Sequence, residues 1–116
     1  MRAYGHLQEE EKPTNKPEYW EDACKRIAEE IATLVISKQL DYGKKNILDF
    51  GEMGVLVRAN DKMSRLRNLC TNCKEKPKNE SIEDSWTDIA GYSILALMLR
   101  KNLFNLPFSS EVKNYD

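Results

Sequence analysis

Apolar residues recur every three or four positions through Trp20, Cys24, Ile27, Ile31, Leu34 and Val35. That spacing predicts one apolar face of a first helix over about residues 18–40. Pro17 suits its first turn, where the missing amide is not needed. Asp41-Tyr42-Gly43 ends it, because glycine is the usual residue just past a helix end. Ala28, Ala32 and Ile36 widen the stripe enough for two neighbours. Lys44 to Gly54 reads as a loop whose apolar Ile47, Leu48 and Phe50 fold it back onto the helices. A second helix is predicted over 53–70, with Leu56, Ala59, Met63, Leu66 and Cys70 as a heptad-like seam. Arg58, Asp61, Lys62, Arg65 and Asn68 form its polar face at spacings of three and four.

Residues 71–80 are a polar connection. Ser81 can cap a third helix by accepting from its free first-turn amides, and Glu83 and Asp84 complement its dipole. That helix should continue to about residue 103. Its segment Ile89 to Leu99 is apolar nearly all round, which suits a helix central in a bundle or covered by another subunit. Gly91 inside it costs about 1 kcal/mol relative to alanine, and a close helix crossing is the expected compensation. Pro107 ends regular structure. The fold class is therefore all-α: a small bundle of three main helices, completed by oligomerisation. Residues 1–17 read as a flexible arm, 18–106 as one helical domain and 107–116 as a tail.

Composition narrows the classes. The chain has 116 residues, 32% of them charged, with 18 Lys+Arg against 19 Asp+Glu and a net charge of −1. One domain fits that length. The balance argues against a general basic surface for nucleic acid. The N-terminus has no apolar core for a signal peptide, and no apolar run approaches the roughly 20 residues of a membrane span. A cytoplasmic protein is the resulting expectation. Three cysteines make no disulfide framework. Cys70 and Cys73 form a C-x-x-C, and Cys24 and His6 are the residues that would complete a four-ligand zinc site. Reduced thiols near a helix end are the plainer reading.

The candidate chemistry lies on the second and third helices. Asp84, Asp88 and Tyr92 stand at i, i+4 and i+8, so both carboxylates project from one face. Mg²⁺ takes oxygen ligands of this kind, together with phosphate oxygens and water. Asp61 is a candidate further ligand. Arg58, Lys62 and Arg65 are candidates for a phosphate chain, with the loop lysines Lys44 and Lys45 adding charge. Tyr42 or Phe50 supplies a ring on which a base can stack. The plainer alternative is that Asp84 serves the helix dipole and that Asp61 pairs with Arg65 on the surface.

Asp41-Tyr42-Gly43, then Asp61-Lys62-Met63-Ser64-Arg65-Leu66 with Asn68-Leu69, then Glu83-Asp84-Ser85-Trp86-Thr87-Asp88-Ile89-Ala90-Gly91-Tyr92 resemble the nucleotide modification associated domain family. The resemblance covers roughly residues 20–104. It implies a phage or bacterial protein and a nucleotide ligand, more firmly than it implies a reaction. The architecture also looks like the MazG-like all-α nucleotide pyrophosphohydrolases. It departs from their acidic motifs, since Glu29-Glu30 is followed by Ile-Ala-Thr with no third acid.

Three readings follow. In the first, the protein acts on a nucleotide phosphate with Mg²⁺: Asp61, Asp84 and Asp88 hold the metal, Asp88 and Glu83 belong to the catalytic set, and Glu30 or Glu83 is the base. Tyr42, Lys44, Lys45, Arg58, Lys62, Arg65 and Tyr92 bind substrate. In the second, the same pocket captures a nucleotide or signalling nucleotide without turnover. In the third, the charges are solvated faces and the third helix serves oligomerisation.

Overall fold

The computed structural model describes residues 15–71 and 81–113. Most of the expected N-terminal arm, the 72–80 connection, Cys73, His6 and the last three residues lie outside that range. Among the described residues five helices follow one another: α1 (Trp20–Tyr42), α2 (Lys45–Leu48), α3 (Gly51–Thr71), α4 (Ile82–Arg100) and α5 (Ser110–Lys113). No strand occurs among the described residues. The three long helices lie within two or three residues of the sequence expectation. The segment read as a loop carries the single turn of α2, and α5 is a short turn beyond Pro107.

The chain divides into two compact units, residues 1–30 and 31–116. In the first, the amides of Asp22 and Ala23 donate to the Tyr19 carbonyl. Arg26 donates to the Asn15 carbonyl at 2.8 Å. The hydrophobic core belongs to the second unit.

Local signals set the helix ends there. Gly43 has φ +81°, and its amide donates to the Gln39 carbonyl at 2.8 Å. The left-handed residue closes α1 at little cost because it has no Cβ. Ser81 caps α4 with a capping box: its hydroxyl accepts from the Asp84 amide at 3.0 Å, and the Asp84 carboxylate accepts from the Ser81 amide at 3.3 Å. At the other end of α4, Asn102 takes φ 59° and the Leu103 amide donates to the Met98 carbonyl. This is a Schellman-type stop, with asparagine in the position glycine usually holds. It turns the chain so that Phe104 enters the core.

That core is Ile47, Val55, Leu95 and Phe104, with Val35, Tyr92, Ala96, Met98 and Leu99 packed against it. Ile47 fulfils the expectation that the α1–α3 segment folds back, while Leu48 and Phe50 are exposed. Helices α3 and α4 form an antiparallel hairpin. Glu52 meets Arg100, Lys62 meets Asp88 and Arg65 meets Ser85, so partners step down α4 as they step up α3. Gly91 fulfils its expectation too: a Cβ there would stand 3.1 Å from Val35 Cγ2, so α1 and α4 approach closely at this point.

The rotation of α3 differs from the predicted seam. Ala59 and Leu66 turn inward, but Leu56, Met63 and Cys70 are exposed. Arg58, Lys62 and Arg65, read as the polar face, are half-buried instead. No residue of α1 is buried. On the hairpin, Glu52, Leu56 and Met63 share one flank of α3, and Trp86, Ser93, Leu97 and Arg100 share one flank of α4. The Arg100–Glu52 ion pair, 3.0 Å long, places the two flanks on one side.

Candidate functional site

Four elements of the second unit enclose a cavity of about 480 Å³. Helix α1 supplies one face at helical spacing: Ile31, Leu34, Val35, Lys38, Gln39 and Tyr42. The first three are apolar and the last three polar. Helix α2 gives Asn46 and Ile47, α3 gives Arg58 and Lys62, and α4 gives Thr87, Asp88, Gly91, Tyr92 and Leu95. The volume lies within the roughly 300–1,000 Å³ of small-molecule pockets. Gly91 matters here as well, because a side chain at that position would push into the space between α1 and α4.

Asp88 is the electrostatic centre. Its Oδ2 lies 3.0 Å from Lys62 Nζ and its Oδ1 lies 3.3 Å from Lys38 Nζ. The Asp88 side chain is 16% exposed, Lys62 23% and Lys38 49%. One carboxylate thus holds two ammonium groups from two different helices. Arg58 donates to the Asn46 side-chain oxygen at 3.1 Å, which orients its guanidinium at the cavity wall. Gln39 Oε1 is buried with no hydrogen-bond partner among the described residues. An unmet buried acceptor costs about 1–3 kcal/mol.

The structure therefore gathers Tyr42, Arg58, Lys62, Asp88 and Tyr92 of the sequence candidates around one space. It places the others elsewhere. Lys44 reaches the carbonyls of Phe104 and Leu106 and stands over the Phe108 ring, tying α2 to the C-terminal segment. Lys45 pairs with Asp49 at 3.1 Å on the surface. Arg65 donates to the hydroxyl of Ser85, which is wholly buried, and to the Ser81 carbonyl, so it joins the two hairpin helices. Asp84 belongs to the capping box, and Asp61 and Glu83 are exposed; Glu30 belongs to the first unit.

Of the acids expected to hold Mg²⁺, only Asp88 lines the cavity. Among the described residues no group of three or more His, Cys, Asp or Glu side chains could hold a metal ion. A single carboxylate engaged by two ammonium groups does not fit a protein-held Mg²⁺, which is usually bound through free carboxylate oxygens plus substrate phosphate and water. Cys24 and Cys70 are both exposed and free.

Sequence reasoning missed Lys38, Gln39, Asn46 and Thr87. Lys38 had a signal. It follows Val35 by three residues and Leu34 by four, so it interrupts an otherwise apolar face.

Residues 38–99 match the family model of nucleotide modification associated domain 1, more than half of the chain. The chain belongs to that family. No curated protein and no solved structure matches it. The likeness to MazG-like enzymes, expected from the architecture, is not shown by these comparisons. The nucleotide modification associated domain of this chain contains every charged and polar residue lining the cavity. Only the apolar Ile31, Leu34 and Val35 lie before it. Among the described residues, no helix is long and apolar enough to cross a membrane.

Proposed function

We propose that this protein binds a nucleotide in the cavity of the second unit. The observation that carries the reading is the cation set. Lys38, Lys62 and Arg58, from two helices, turn toward one partly enclosed space, and a single Asp88 counters them there. A bound anion would add a charge-assisted partner for bases that are half-buried at the cavity wall. The remaining lining suits the rest of a nucleotide. Tyr42 and Tyr92 offer rings for base stacking, worth about 1–3 kcal/mol per base in other systems. Gln39, Asn46 and Thr87 offer hydrogen bonds to a base edge or sugar hydroxyl, and Gln39 gains most, because its buried acceptor lacks a partner. The family description accords with such a ligand.

Binding stands ahead of Mg²⁺-dependent hydrolysis in this reading, because the acids that hydrolysis would use do not converge on the cavity. Calorimetric titration with a panel of nucleotides, followed by recovery of the ligand, tests it. The expected result is saturable binding of one nucleotide per chain, weakened at least tenfold by Arg58→Ala, with the ligand recovered intact. No binding across the panel overturns the proposal; recovery of a cleaved product restores hydrolysis.

The open flank of the hairpin supports self-association. Leu56, Met63, Trp86 and Leu97 expose between 41% and 58% of their surface. Together they present on the order of 400 Å² of apolar area, comparable to the largest patches on soluble monomers, which are often functional. A second copy of this chain, docked by the same flank, would bring the apolar centre of an interface of about 800 Å² per partner.

A further inference from the structure

We infer that Gln39 is the residue that reads the base of the bound nucleotide, by accepting a hydrogen bond from an N–H group on the base edge. This rests on the nucleotide reading above and adds to it which end of the ligand meets α1 and what selects it. The starting point is an unfilled acceptor. Gln39 lines the cavity, and its Oε1 is buried with no hydrogen-bond partner among the described residues. Buried polar atoms are nearly always paired, and an exception calls for a cause. An acceptor is met only by a donor, so the group that arrives there carries an N–H or an O–H.

The place of Gln39 on its helix separates base from sugar. At roughly 100° per residue, Leu34 and Lys38 fall at one edge of the α1 lining and Gln39 at the other. Lys38 is engaged with Asp88 at 3.3 Å, so the ionic part of the cavity lies at the edge away from Gln39. A nucleotide whose phosphate sits at the ionic edge and which crosses the face of α1 brings its base to Gln39, with the sugar between. The neighbours of Gln39 suit a flat heterocycle. Tyr42, three residues on, offers a ring, and Val35, four residues back, offers an apolar surface. Opposite Val35 stands Gly91, where even a Cβ would lie 3.1 Å from Val35 Cγ2. A ligand with no donor at this place leaves the acceptor as unmet as it is in the free protein. A site built in this way discriminates strongly against analogues that lack the donor.

The test is calorimetric titration of the full chain and of Gln39→Leu with the mono- and triphosphates of adenosine, guanosine, cytidine and uridine, and with ribose 5-phosphate. Thermal denaturation of both free proteins accompanies it. For the nucleotide that the wild type binds best, the variant is expected to lose at least fivefold in affinity. Its binding of ribose 5-phosphate should stay within about twofold of wild type, or be undetectable for both. Its free midpoint should equal or exceed that of the wild type, because the unmet acceptor is gone; a merely structural role for Gln39 would lower it. On the wild type itself, full methylation of the edge nitrogens of that base should also cost at least fivefold. A smaller loss in either case, an equal loss for ribose 5-phosphate or a lowered midpoint overturns this inference and leaves the nucleotide reading standing. Silence of the wild type across the nucleotides overturns the nucleotide reading itself.

Discussion

Replacing Asp88 with asparagine keeps the shape of the side chain and removes its charge. In the free protein this breaks two contacts, 3.0 Å to Lys62 and 3.3 Å to Lys38. Exposed ion pairs are worth about 0–1 kcal/mol, whereas stranding one member of a buried pair costs about 3–5 kcal/mol. Asp88 is 16% exposed and Lys38 49%, which places this cluster between the limits, so a stability loss of about 1–2 kcal/mol is expected. The effect on ligand binding has the opposite sign. A unit negative charge about 7 Å from an incoming phosphate charge repels it by about 2.4 kcal/mol at an effective dielectric constant of about 20, and by about 0.6 in bulk water. A cavity that is partly enclosed lies between these, so removing Asp88 should tighten nucleotide binding by about 1.4 kcal/mol, roughly tenfold. The assay is urea denaturation beside calorimetric titration at low salt, for both proteins. The variant should unfold more easily alone and bind more tightly, and saturating ligand should close much of the stability gap. If Asp88 instead held Mg²⁺ for the nucleotide, the variant would lose affinity in Mg²⁺. A clear fall in affinity therefore refutes the reasoning.

Three further outcomes follow from other parts of the structure. Gly91→Val should cost about 1–3 kcal/mol in thermal denaturation, because the first added carbon already stands 3.1 Å from Val35 Cγ2 and the rest crowds the cavity; an unchanged midpoint would mean that α1 does not approach α4 there. Ser81→Ala and Asp84→Ala should each lose about 1 kcal/mol of stability through the capping box, with nucleotide affinity unchanged by titration; lost affinity in Asp84→Ala would return that residue to the site. Leu56→Lys with Leu97→Lys should convert a dimer to a monomer in sedimentation equilibrium, and a wild-type chain that sediments as a monomer at every concentration would remove the second-copy proposal.

The parts of this fold that were legible in the sequence are those with local causes. Ser81 and Asp84 announce the start of α4 because a capping box is made within four residues. Gly43 announces the end of α1 because only the backbone conformation at that point matters. Gly91 announced a close crossing because a glycine inside an apolar helix needs a compensating contact. Other features depend on partners distant in the chain. The lysine at position 44 gives no sign that its ammonium group reaches carbonyls about sixty residues later.

The instructive difference lies in α3. Hydrophobic spacing assigned Leu56, Ala59, Met63, Leu66 and Cys70 to the inside, and a helix whose only task was to bury apolar area would have obeyed. Here Val55, Ala59, Lys62 and Leu66 face inward, with Arg58 and Arg65 beside them. The helix has been turned so that its bases meet Asp88, Asn46 and Ser85. The apolar residues displaced by that turn are the ones left on the open flank. That rotation accounts for both the half-buried bases of α3 and the exposure of Leu56 and Met63. The proposed anion site and the α3 side of the proposed second-copy surface would then both follow from it. Abolishing the inward bases should relax the rotation and shrink the flank. The single-face heptad pattern could register the apolar half of that choice and had no means of registering the ionic half.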